Sequence, residues 1–314
     1  MRNFLHGVSP DGDRLTFVGV QEIPSEEGNK FVSVEIYVIN VDGTEFTGIS
    51  YFINLSKEFN DQHTLSFTAF GAKQRHGQRQ NRQLIETFRQ SERGIKYNQD
   101  WGYKNGQVTF IEDNFYHKPQ ISLNHYWDIN ENNKLSTAAY VSFGTGGGGG
   151  TAGDNSKFRF DNDDYRIGNF GTIDFDRIVE ENEAAGVNGS ESILRASRND
   201  HKWYGVLSTL QTDLSDELVL LSGLDFRYYK GIHFQEVTDL LGGQYFSDDG
   251  DVNNPNKQAR VGDKINYDND GIVNWLGAFG QLEYSKDKLA AFVSLAASNT
   301  SYKRIDRFNY LDSD

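Results

Sequence analysis

Four times along this chain an apolar side chain occupies every second position, a short polar turn follows, and the same rhythm resumes on the way back. The four units span residues 51–72, 119–145, 202–232 and 272–302, with turns at Asn60-Asp61-Gln62, Asn130-Glu131-Asn132-Asn133, Ser215-Asp216-Glu217 and Lys286-Asp287. In the third, Leu218, Leu220, Leu224, Phe226 and Tyr228 alternate with Gly223, Asp225 and Arg227. A period of two belongs to an extended strand, because successive side chains point to opposite faces, whereas a helix repeats every 3.6 residues. The pattern predicts four hairpins, hence about eight strands in an antiparallel meander.

The connections constrain the fold further. They alternate between these short turns and long polar stretches, Lys73–Lys118, Gly146–His201 and His233–Gly271. Structureless loops beyond ~15 residues are uncommon in compact soluble domains. Short turns at one end and long loops at the other are the habit of transmembrane barrels, whose strands need ~9–11 tilted residues to cross. The expected fold class is therefore all-β, a meander forming part of a transmembrane β-barrel with short periplasmic turns and long extracellular loops.

Composition agrees. Only 37% of residues are hydrophobic, fewer than a soluble core of 314 residues usually takes, while 13% are aromatic. A barrel with a wet interior needs only alternate residues to be apolar. The expected lipid-facing set is Leu65, Phe67, Ile121, Leu123, Val141, Leu220, Leu224, Phe226, Leu289, Val293 and Leu295. Aromatics near strand ends are expected to form interfacial girdles: Tyr51, Phe52, Phe59, Trp127, Tyr140, Phe143, Trp203, Tyr204, Tyr228, Tyr229, Trp275, Tyr284 and Tyr302. The net charge of −14 argues against nucleic acid or an anionic membrane surface as the main partner, and the lack of cysteine removes disulfides and thiolate chemistry. The opening Met1–Gly7 has no apolar signal core, and nothing approaches the ~18 apolar residues of a membrane helix. Since a barrel must be exported, the expectation is an internal piece of a longer protein or a truncated gene product.

Several segments resemble the mid-barrel of TonB-dependent receptors of the Bacteroidetes type. They are Tyr51–Lys57, His63–Ser66, Phe70–Arg79, Tyr116–His125 and Asp268–Trp275, in the order that family has them. The resemblance runs from about Gly43 to the end. It implies an outer-membrane location, active uptake of a nutrient (oligosaccharide, peptide or metal chelate), and a barrel enclosing a plug domain. It further implies coupling to the TonB–ExbB–ExbD system and a surface lipoprotein partner beside the surrounding outer-membrane lipid. Neither a plug nor a TonB box is visible, and the chain ends at Leu311–Asp314 without the family's terminal aromatic. Residues 1–45 form a separate N-terminal β segment, 46–314 the partial barrel. Within the former, Ser9–Phe17 and Ile36–Thr44 faintly resemble one blade of a TolB-type β-propeller; two strands with turns at Asp11-Gly12 and Asp42-Gly43 are the plainer reading.

Candidate chemistry is sparse. Gln74, Arg75, His76, Arg79 and Arg82, flanked by Lys73, Gln80 and Gln83, make a basic, amide-rich stretch in an acidic chain. Arg presents a fork of donors suited to anions and sugars, so these are the candidate ligand-binding residues; pairing with acidic loops or lipid phosphates is the structural alternative. Asn266, Asp268 and Asp270, followed by Gly271, match the first half of an EF-hand-like calcium loop, but the twelfth position is Gly277, which has no carboxylate. Solvated loop carboxylates are the plainer account there, as for Ser247–Asp251. No cofactor motif appears. Asn124, His125 and Ser142 are the only hydrolase-like set, and the expectation is that the chain is not an enzyme. Within the loops, 177–183 and 192–195 are expected as short helices, and Gly144–Gly150 as a strand exit. The competing function is a soluble or surface β-rich binding protein.

Overall fold

The computed structural model describes residues 15–18, 21–23, 30–39, 47–79, 81–168 and 170–311, with side chains described from residue 50 onward. Eight long strands form a single antiparallel sheet. They are β1 (Thr47–Asn60), β2 (His63–Gly77), β3 in two pieces (Asp113–His117 and Gln120–Asn130), β4 (Asn133–Gly153), β5 (Ser192–Ser215), β6 (Leu218–Asp239), β7 (Lys264–Lys286) and β8 (Leu289–Asp306). The meander is that of a partial β-barrel, as the alternation predicts. β3 is broken at Lys118-Pro119, where proline has no N–H to give the ladder. Short strands Leu15–Val18, Gln21–Ile23 and Lys30–Ile39 extend the sheet beyond β1 by backbone pairing. The expected turns at Asp11-Gly12 and Asp42-Gly43 lie outside the described residues.

Register tests the two-face reading independently of hydropathy, because partners directly opposite on neighbouring strands share a face. One cross-strand row runs Leu55, Phe67, Leu123, Ala139, Val206, Phe226, Leu276 and Asn299. Stepping two residues at a time from this row, every member of the expected lipid-facing set lies on the same face. The other face carries Asn54, whose amide donates to Thr68 at 2.7 Å, and the Asp225–Arg227 ion pair. Burial is inverted relative to a water-soluble sheet: Leu224 is 62% exposed while the neighbouring Asp225 side chain is 13% exposed. No second layer covers the apolar face among the described residues.

The buried core instead sits at the loop end. Helices α1 (Ile85–Gln90) and α2 (Phe175–Ala185) and a four-stranded sheet formed by Arg166–Ile167, Thr172–Asp174, Trp101–Lys104 and Gln107–Phe110 build a cap there. Ile111, Phe158, Ile173, Phe175, Ile178, Leu194 and Leu241 pack as one cluster; Ile193, Val237, Ala259 and Ile265 form another. The expected helix 177–183 lies inside α2, capped by the Asp174 carboxylate, which accepts from the Arg177 N–H at 3.1 Å.

Three expectations are corrected. Residues 192–195 open β5 as a strand: Ile193 and Leu194 are both buried, in different clusters, and an extended chain reaches both sides at once while a short helix cannot. Gly144–Gly150 is strand interior. β4 passes so close to the 111–113 backbone that a Cβ on Gly149 would collide with the Ile111 carbonyl and the Asp113 N–H, so the missing side chains are what let the strand continue. The strands also outrun the ~9–11 residues that a bilayer crossing needs, reaching 24 in β5, because their ends project beyond the alternating zone into the cap.

Candidate functional site

The cap end gathers the polar chemistry. Arg75 is on β2, two steps beyond Gly71 on the apolar side of the sheet, and grips Asp113 of β3 through Nε (2.9 Å) and Nη2 (2.5 Å). Opposite Gly147, Arg198 donates to Glu236 (3.0 Å) and Asp200 (3.0 Å), with its guanidinium between the Phe115 and Phe234 rings. Its Nε is buried without a partner. Arg75, Arg195, Arg198, Asp113, Glu236 and Phe115 line a cavity of about 550 Å³. A second cavity of about 400 Å³ is lined by Arg82, Gln83, Gln99, Asn155, Arg159 and Asp161.

The sequence-derived stretch does not converge on one pocket. Arg75 opens on the first cavity and Arg82 on the second. Gln74 and His76 alternate to the sheet face opposite Arg75, opposite Tyr116 and Asn114 respectively. Arg79 is engaged by the backbone, donating from Nη1 to the carbonyls of Ile95 (3.2 Å) and Tyr97 (2.9 Å) with its guanidinium over Phe88. Arg195, Arg198 and Glu236 were missed because hydropathy reads them as loop; only pairing shows that they lie beside Arg75.

The calcium half-motif is not a loop. Asn266, Asp268 and Asp270 lie within β7. Asp268 meets Lys264 (2.9 Å) and Arg307 (3.4 Å), and Asp270 meets Lys230 (2.9 Å) and Arg307 (2.5 Å), so cationic side chains already occupy the two carboxylates. Asn124, His125 and Ser142 are also not assembled. His125 faces the apolar side and contacts His63 at 3.0 Å, while Ser142 faces the other side and contacts His201 at 2.9 Å.

A cluster of ionisable groups holds the cap. Lys157, 5% exposed, reaches Glu181 (2.8 Å) and Glu191 (2.9 Å). Glu181 also accepts from the Tyr165 hydroxyl (2.9 Å) and from Arg177 (3.3 Å). Burial pushes the Glu181 carboxyl up, but the hydrogen bonds from Lys157, Tyr165 and Arg177 outweigh it and hold it below the usual range. Burial likewise depresses Lys157, and its two carboxylate partners more than compensate. Buried Asn182 donates to the Ser192 and Leu241 carbonyls and accepts from the Glu191 N–H, tying α2 to the entry of β5 and the exit of β6.

The girdle is corrected by parity. Tyr204, Tyr228, Phe143, Tyr51, Trp127 and Tyr284 face the apolar side. Phe52, Tyr140, Trp203, Tyr229, Trp275 and Tyr302 face the polar side, where Tyr140 meets Trp203 edge-on and Arg227 lies over Trp275. Clustering near strand ends does not tell the two faces apart; register does.

An open meander with an exposed apolar face, two-residue turns at one end and a folded cap at the other defines part of the wall of a β-barrel. Among solved structures, the chain is similar to the open form of the ferric-catecholate import receptor Fiu from E. coli K12 at a TM-score of 0.53 and 8% identity, covering 93% of this chain and 43% of that one. A closed form of the same receptor gives a TM-score of 0.48 at 9% identity over 92% of this chain and 45% of that one. At such identities the likeness shows the fold, and the chain spans less than half the length of the receptor it matches. No family model and no curated protein matches the sequence.

Proposed function

We propose that the chain is a wall segment of an outer-membrane, TonB-dependent-type receptor that takes up a nutrient of the oligosaccharide, peptide or metal-chelate kind. The observation that carries this reading is the agreement between register and hydropathy: the apolar residues of eight strands fall on one uncovered face. The neighbour's fold supports it. On this reading the polar face meets a wet lumen or a plug domain, and uptake is driven through TonB–ExbB–ExbD. A surface lipoprotein partner belongs to the same reading, and catalysis does not. Residues 46–314 supply the barrel segment, with the 1–45 segment as an appendage whose strand Lys30–Ile39 lies along its edge.

Ligand contact in this reading falls to the cap-end donors. Arg75 and Arg82 open onto cavities, Gln74 and His76 lie on the lumen-side face, and Arg79 ties the loop that carries Arg82 to the Ile95 and Tyr97 carbonyls. The outer edge of β8 has no paired strand among the described residues. Unsatisfied backbone groups in hydrocarbon cost several kcal/mol each, so function requires further strands along that edge. The test is fractionation of the full chain. Recovery only with membranes or detergent is expected; a monodisperse, folded, detergent-free protein would replace this reading with the soluble binding protein.

A further inference from the structure

The apolar face is ordered along the strand direction. At the turn end, Leu218, Tyr284 and Ala291 stand in one row. Ten residues further along β6 comes the row Val141, Tyr204, Tyr228, Asn274 and Ser301, with the Tyr204 and Tyr228 rings stacked at 4.7 Å. Ten residues span ~33 Å of strand. At a tilt of ~40° that is roughly 25 Å of height, the thickness of a barrel's apolar band. The next row towards the cap is Phe143, Lys202, Lys230, Ile272 and Lys303. Three lysines therefore share one row, on the apolar side, one step above the tyrosines.

This placement is selective. The nearest polar-face rows, Ser142, Trp203, Tyr229, Val273, Tyr302 and then Gly144, His201, Gly231, Gly271, Arg304, hold no lysine. Lys202 is directly opposite Lys230, and like charges so placed destabilise a sheet. The carboxylates of the adjoining row do not relieve them fully. Asp200 is held by Arg198, and Asp270 serves Lys230 but is shared with Arg307. Lys202 and Lys303 are exposed and meet no carboxylate among the described residues. In a protein of net charge −14, two of the three lysines in this row, at the height where an apolar band meets headgroups, have no counter-anion among the described residues.

We propose that Lys202, Lys230 and Lys303 bind the phosphate groups of lipid in the membrane leaflet at the cap end. The inference rests on the membrane reading above, and the occupant follows from the row's position: long lysine stems lie over apolar surface and present ammonium groups to the interface.

The test uses the full chain folded in dodecyl maltoside micelles, with bound lipid counted by native mass spectrometry. The probes are diphosphorylated lipid A, the same lipid dephosphorylated, phosphatidylcholine and inorganic phosphate. The diphosphorylated lipid is expected to bind at least ~25-fold tighter than its dephosphorylated form, because each of the two lysines without a carboxylate partner contributes about five-fold to anionic-lipid affinity. Lys202→Gln with Lys303→Gln should erase most of that preference, about 25-fold for the pair. Lys202→Arg with Lys303→Arg should keep it, and Lys57→Gln with Lys288→Gln at the turn end should leave it unchanged. Circular dichroism verifies that each variant is folded. Equal binding of the two lipid A forms, or equal losses in both Gln pairs, overturns the proposal while leaving the membrane reading intact. Competition by inorganic phosphate at matched concentration would make the row a free-anion site and overturn the lipid assignment. A detergent-free soluble chain would end both readings together.

Discussion

Replacing Leu224 by arginine separates a lipid-facing sheet from an exposed one in water more sharply than any other single change. Leu224 is six residues from Leu218 and four from Tyr228, in the row Thr137, Ser208, Leu224, Ala278 and Ala297, close to the middle of the apolar band. Were the face bathed in water, a side chain already 62% exposed could become arginine at a cost within ~0.5 kcal/mol, since nothing packs tightly against it. In hydrocarbon the same guanidinium costs ~2–4 kcal/mol at the midplane. That is a loss of about 30-fold to nearly 1,000-fold in the folding equilibrium, at ~1.4 kcal/mol per factor of ten. The control must sit on the other face. Asp225 is unsuitable, because its 2.5 Å pair with Arg227 would become two opposed cations. Asn124, directly opposite Ser66 and Ala138 on the polar face, is the better site. Urea unfolding of the full chain from phosphatidylcholine vesicles, followed by tryptophan emission and by heat-dependent gel migration, measures both. Leu224→Arg should lower stability by at least ~2 kcal/mol while Asn124→Arg stays within ~0.5. Equal and small effects would refute the assignment of the apolar face to lipid.

Other outcomes follow from the cap. Glu181 is held below its ordinary value near ~4.3, so its contribution is present above that pH and is lost as acid carries the solution down through the folded-state value. Limited proteolysis of the 154–191 segment should accelerate as the pH falls below the ordinary carboxylate value of ~4.3, and Glu181→Gln should flatten that dependence. Removing the Asn182 amide leaves buried carbonyls of Ser192 and Leu241 and the Glu191 N–H unpaired. Asn182→Ala should cost ~2–3 kcal/mol of cap stability, read as faster hydrogen exchange at the start of β5, with β7 unchanged. Gly149→Ala forces a methyl against the 111–113 backbone and should cost ~1–3 kcal/mol, loosening the 78–112 connection while leaving the β5–β6 hairpin protected.

How much of this was legible in the sequence depends on the range of the interaction that fixes each part. Alternation is local, so Leu220, Leu224 and Phe226 announced their face; the turns at 61–62, 131–132 and 216–217 fell within the expected polar segments, and the fourth, at 287–288, falls one residue past the expected Lys286-Asp287. The cap was legible only in α2, whose Asp174 cap and Phe175–Ile178 spacing are also local. What failed was set by partners far along the chain. Gly144–Gly150 reads as a strand exit until Ile111 and Asp113 are known to press on it, and Ile193-Leu194 shows no alternation because both its faces are buried. The loop regions were hard to read for the same reason that they are, among the described residues, the part with a buried core. Loops that must hold themselves together in water need non-local apolar clusters, whereas the sheet leaves its apolar face to another solvent. That division also explains why arginines 75, 195 and 198 could not be grouped from the sequence, although Arg75 itself stood out. Their adjacency is a property of two strand ends, those of β2 and β5, that continue past the alternating zone, where parity no longer has a lipid side to report.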